Sequence, residues 1–156
     1  MAVKANSLLG CDDITFLDFP DSNFSLIKED DEQARRIVSI IDNKRVDYIF
    51  FPHILDYNLD HRSSSLLISK LLEGRPEIIK YYFCVWLWES LPNRDLKRIT
   101  IDNIYYYSPR KNYKREAHDI YTTTHSSDGV YYSGSCPQLL YILTKRKKEL
   151  FFLVKD

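Results

Sequence analysis

The chain has 156 residues, with 22 basic and 22 acidic side chains and no net charge. That length suits one domain, with enough chain to bury a core without disulfide or metal staples. A composition of 44% hydrophobic and 28% charged residues excludes a disordered or fibrous protein, and the neutral balance argues against a nucleic-acid or anionic-membrane partner held by bulk electrostatics.

Taken in chain order, Val3 to Leu9 reads as a short piece of helix and Asp13 to Phe19 as a short strand. From Glu29 to Arg45 the pattern is helical. Acidic residues stand at its start, Lys44-Arg45 at its end, and Ala34, Ile37, Val38, Ile40 and Ile41 form an apolar stripe. Val46 to Phe51 reads as a strand buried on both faces, as in a parallel sheet, and Pro52 ends it. A polar loop follows to Arg62, and Ser63 to Glu73 resumes helical periodicity, with Gly74 placed to cap it and Pro76 beyond. Ile78 to Trp88 reads as a second central strand, and Arg98 to Tyr107 alternates like a further one. Lys111 to Thr123 and Cys136 to Lys148 are predicted helices, the second feeding the apolar run Leu150 to Val154. This order of helices and strands predicts an α/β fold in a single domain over residues 1–156.

Cys11, Cys84 and Cys136 are odd in number and far apart, which argues against a disulfide framework or a cysteine zinc site. No apolar stretch of signal-peptide or membrane-spanning length occurs, so the expected compartment is the cytoplasm. The 12 tyrosines are compatible with sugar contacts without being specific for them. Arg110-Lys111, Lys114-Arg115 and Lys145 to Lys148 read as solvated charge rather than as a nucleic-acid surface.

The densest polar cluster is Asp56-Tyr57-Asn58-Leu59-Asp60-His61-Arg62, directly after the first predicted parallel strand. Open α/β sheets place their sites there, because diverging loops leave a crevice. Asp56-x-Asn58-x-Asp60 imitates the start of a calcium-binding EF-hand loop, but His61 replaces the required glycine and Leu67 the bidentate glutamate, so calcium is excluded. Three readings stay open. His61 is a metal ligand whose second ring nitrogen is held by Asp60 or Asp56; or a histidine–carboxylate pair acts as general base; or Asp60 caps the next helix while His61 and Arg62 are solvated. His53 suits packing behind the strand, and His118 and His125 suit the surface.

The stretch Val46 to Leu72, with Phe51-Pro52, Asp56 and Asp60-His61-Arg62, resembles the PIG-L/LmbE-like family of zinc N-deacetylases. There a buried strand is followed by an Asp-x-His-x-Asp-His loop whose last histidine binds zinc. Leu8-Leu9-Gly10-Cys11 with Phe16 to Asp21 is similar to the family's Leu-Gly-Val … Phe-Leu-x-Phe-Pro-Asp-Gly segment, and Lys114 … Ala117 … Tyr121 to its later helix. The resemblance implies a Rossmann-like three-layer sandwich with a mostly parallel sheet, hydrolysis of an N-acetyl group on a glucosamine-type sugar, and zinc as cofactor. It implies His61 as metal ligand, Asp60 and Asn58 as catalytic residues, and Asp21, Asp56 and Arg62 on the substrate side.

Two departures matter. Asn58 stands where the family has a histidine, and the family's opening strand with its His-Pro-Asp-Asp motif, which brings two zinc ligands and the general base, has no counterpart in this chain. A catalytic zinc needs three protein ligands. The resemblance therefore implies a shortened domain lacking its leading strands, with little or no activity and an open sheet edge suited to self-association. The alternative is a non-catalytic sugar-binding or interaction module of the same descent, and neither reading calls for nucleic acid or membrane.

Overall fold

The computed structural model describes residues 1–11, 13–19, 22–29, 31–85, 103–123 and 144–154. The chain divides into two compact units, one from residues 1–16 with 107–149 and the other from 17–106 with 150–156.

The second unit carries most of the predicted elements. A 3₁₀ turn at Phe24–Leu26 leads to α2 (Glu32–Lys44), β1 (Tyr48–Pro52), α3 (Leu59–Leu71) and β2 (Ile79–Phe83). Asp31 stands at the N-cap of α2 and Glu32 in its first turn, with Lys44 in its last, complementing the dipole. The helix closes on Arg45 in the left-handed conformation, φ 49°. Ala34, Ile37 and Ile41 of α2, Phe51 of β1, Leu67 of α3, Leu72 and Ile78 form one buried cluster. The predicted helix from Ser63 begins earlier, at Leu59, because Asn58 supplies its cap. It ends before Gly74, whose φ of 74° belongs to the turn that follows.

β1 and β2 are parallel, with Tyr48 opposite Ile79 and Phe51 opposite Tyr82, and α3 is the crossover between them. β3 (Ile104–Tyr107) and β4 (Glu149–Leu153) complete a sheet of order β1-β2-β4-β3. β4 runs antiparallel to β2, pairing Tyr82 with Phe152. The α/β class is thus present, but the expected mostly parallel sheet is corrected: among the described residues the one parallel pair is β1–β2. β1 is also not buried on both faces. It ends the described sheet order, and Tyr48 and Phe50 are exposed while Phe51 is buried. The reason is one-sided cover: α2 and α3 contribute to the cluster around Phe51, whereas Phe50 meets the rings of Tyr81 and Phe151 at 5.3 and 5.2 Å.

Asp13 to Phe19 is irregular rather than a strand. The alternation that suggests a strand instead lets Leu17 and Phe19 pack on the core while Phe16 stays exposed. Of the two strands predicted over Ile78 to Trp88 and Arg98 to Tyr107, the parts at 86–88 and 98–102 lie outside the described residues.

In the first unit, α1 (Ala2–Leu8) packs against α4 (Lys114–Thr123), with Ala5 and Ala117 buried. Of the helix predicted over Cys136 to Lys148, residues 136–143 lie outside the described residues, and 145–148 form an exposed turn leading into β4.

Candidate functional site

The loop between β1 and α3 is built by its polar side chains, each accepting from backbone further along. The His53 carbonyl accepts from the Asp56 amide at 2.8 Å, which turns the chain as it leaves β1. Asp56 Oδ1 accepts from the Asn58 amide at 3.1 Å. Asn58 Oδ1 accepts from the amides of Asp60 and His61 at 2.8 and 3.2 Å, which caps α3. Asp60 in turn reaches across to the other segment of the site, accepting from the Ser22 amide through Oδ2 at 2.7 Å and from the Phe24 amide through Oδ1 at 3.2 Å. The Asp-x-Asn-x-Asp spacing that imitates a calcium loop is thus a relay of side-chain-to-backbone bonds, the usual work of these residues in turns.

His61 lies in the first turn of α3, and its Nδ1 is 3.0 Å from Asp56 Oδ1. The Asp56 carboxylate is fully buried, at 0% exposure, while the His61 side chain keeps 26%. A carboxylate accepts only, so with Asp56 ionised the pair places the neutral imidazole's proton on Nδ1 and leaves the Nε2 lone pair for a ligand. This is the arrangement in which an outer carboxylate orients a metal-binding histidine. Of the two carboxylates the sequence offered for that role, Asp56 takes it, because Asp60 is engaged by Ser22 and Phe24.

The ends of the parallel strands bring further groups near Asp56. His53, 6% exposed, packs its ring 4.9 Å from Tyr82 and 5.1 Å from Phe152. Its Nδ1 accepts from the Leu55 amide at 3.0 Å, so the neutral ring carries its proton on Nε2. Burial drives its pKa down to about 4, against the opposing pull of the Asp56 charge. Cys84 follows β2. Burial and the same Asp56 charge push its thiol up to about 12, which leaves it protonated and a poor nucleophile at neutral pH. Sequence reasoning weighed Cys84 only against a disulfide or zinc site and did not place it near Asp56; the signal that would have done so is the parallel pairing, which sets the residues after β1 and after β2 side by side.

Arg62 is exposed in the first turn of α3, and Asp21 lies outside the described residues. Its neighbours are held nonetheless: Ser22, at φ 63°, and Phe24 hang on Asp60, and Asp18 also takes a positive φ of 53°. Two non-glycine residues in the left-handed region within five positions need such an external tie. Asp60→Ala is therefore expected to lower the unfolding free energy by about 1–3 kcal/mol. Hydrogen exchange should accelerate at the Ser22 and Phe24 amides ahead of the core. Unchanged protection there would show that Asp60 does not hold this segment.

Among the described residues no three His, Cys, Asp or Glu side chains are grouped to hold a metal, and no helix is long and apolar enough to cross a membrane. Comparison with curated proteins and with solved structures returned no match. The model of the PIG-L family, described as GlcNAc-PI de-N-acetylase, matches residues 2–72, from α1 through the 18–24 segment, β1 and the Asp56–His61 loop to the end of α3. Over that segment, just under half of its length, the chain is similar to the PIG-L family.

Proposed function

We propose that the Asp56–His61 loop is one half of a metal-dependent N-deacetylase site for N-acetylated amino sugars. The observation that carries this reading is the buried Asp56 carboxylate bound to His61 Nδ1, which readies Nε2 as a ligand. Zinc is the cofactor the family implies, and a neutral imidazole with its second nitrogen anchored fits as one of its ligands. Zinc bound in a hydrolase lowers the pKa of its water and polarises the substrate carbonyl. This chain's own part is to hold His61 in one tautomer through Asp56, to cap the helix through Asn58, and to tie the segment carrying Asp21 to that helix through Asp60. Asp21 and Arg62 are the residues that the family resemblance assigns to the sugar. The single-domain Rossmann-like sandwich belongs to this reading too, supported by the parallel β1–α3–β2 crossover.

A non-catalytic sugar-binding or interaction module is the second reading. Asn58 favours it, since this residue cannot carry a proton as the family's histidine does and its amide oxygen is committed to capping α3.

Zinc titration by calorimetry on the full chain separates the two. The deacetylase reading expects zinc to bind with its remaining ligands supplied from outside the Asp56–His61 loop, and the binding to be lost in His61→Ala and weakened about 10–100-fold in Asp56→Asn. Catalysis is expected to be weak or nil, because Asn58 replaces the proton-carrying histidine. Absence of zinc binding, with N-acetylglucosamine still shifting the amide resonances around Asp60, would transfer the assignment to the binding module.

A further inference from the structure

The neutral sum of charges conceals a segregation. The stretches 107–123 and 144–149 carry eight basic side chains, Arg110, Lys111, Lys114, Arg115 and Lys145 to Lys148, against three acidic ones, Glu116, Asp119 and Glu149. Far apart in sequence, the two basic runs are fastened together in the first unit. Asn112 Nδ2 donates to the carbonyls of Thr144 and Arg146 at 3.0 and 3.3 Å, while its Oδ1 accepts from the Lys114 amide at 3.1 Å. Lys114 Nζ donates to the Arg146 carbonyl at 2.8 Å and pairs with Glu149. Arg110, Lys111 and all of Lys145 to Lys148 are exposed, and the same stretch exposes Tyr107 at 60% and Tyr113 at 39%.

We propose that this surface docks the protein peripherally on an anionic phospholipid membrane. Two adjoining loops of ammonium and guanidinium groups meet lipid phosphates without needing a shaped cleft. Exposed tyrosines suit the headgroup level, where a ring with a polar tip is at home. Each basic residue near such a surface strengthens binding about fivefold, so six exposed charges suffice for salt-dependent docking. The argument is independent of the deacetylase reading. Overall neutrality does not oppose it, because a membrane responds to charge within a Debye length, about 10 Å, and not to the sum over the chain.

The test is co-sedimentation of the full chain with vesicles of phosphatidylcholine alone or with about 30% phosphatidylserine added. Binding is expected to the anionic vesicles alone and to fade as salt rises from about 50 to about 300 mM. The triple reversal Arg110→Glu, Lys111→Glu, Lys147→Glu should weaken it at least about a hundredfold, since each reversal both removes a positive charge and adds a repelled negative one. Lys4→Glu with Lys28→Glu, equal in kind but outside the patch, should leave most of it. Should the triple variant melt early, Lys147→Glu alone is read, with at least about fivefold weakening expected. Equal binding to both vesicles, none to either, insensitivity to the reversals, or capture of single-stranded RNA with no vesicle binding would each overturn the proposal.

Discussion

Phe51→Ala is expected to lower the unfolding free energy by about 3–5 kcal/mol, the cost of deleting a large ring from a core that cannot collapse around the gap. Phe51 is 1% exposed and central to the cluster of Ala34, Ile37, Ile41, Leu67, Leu72 and Ile78, with its ring edge-on to Tyr82 at 5.1 Å. It is also the last core residue before the loop that carries His53 and Asp56, so the loss reaches the site. Urea unfolding should show a lower midpoint with an unchanged slope. Phe50→Ala is the neighbouring control: its side chain lies on the exposed face and should cost much less. If the two variants lose equal stability, α2 and α3 do not pack on β1 as described.

The second large effect is a pH dependence seated on His53. Its folded pKa of about 4 lies below the ordinary value of 6.5, so between these the unfolded chain binds a proton that the folded chain refuses. Stability from this residue is complete above about pH 6.5, declines as pH falls, and is exhausted near pH 4. The total is on the order of 3 kcal/mol, because each pH unit between the two values contributes about 1.36 kcal/mol. Unfolding measured across that window in the parent and in His53→Asn checks it. Asparagine keeps an acceptor for the Leu55 amide but does not titrate, so its curve should be flatter. Parallel curves would mean that His53 is not buried neutral among Tyr82 and Phe152.

Much of the site's neighbourhood was legible because its signals are local. The charge order and apolar stripe of α2, the apolar run of β1 and the polar loop before α3 need only a few successive residues to be read. The start of α3 was misread by four residues for a definite reason. Asp60-His61-Arg62 is polar and looks like loop, yet the Asn58 oxygen supplies the cap that lets the helix begin there. Asp13 to Phe19 failed differently. Its alternation satisfies a strand pattern, but no strand among the described residues pairs with it, and the segment serves as an irregular strap with two core contacts.

By itself the amino-acid sequence determined that this is an α/β protein with its polar centre after β1, and that His61 and its carboxylate neighbours belong to that centre. Family likeness is local too, since residues 2–72 hold it in their order. Three matters were left to the tertiary structure: which carboxylate serves His61, the antiparallel addition of β4 beside β2, and the union of two distant basic runs through Asn112 and Lys114. Each depends on residues brought together across the chain. Hydrogen bonds and charge act over a few ångströms in space, and sequence distance carries no record of them.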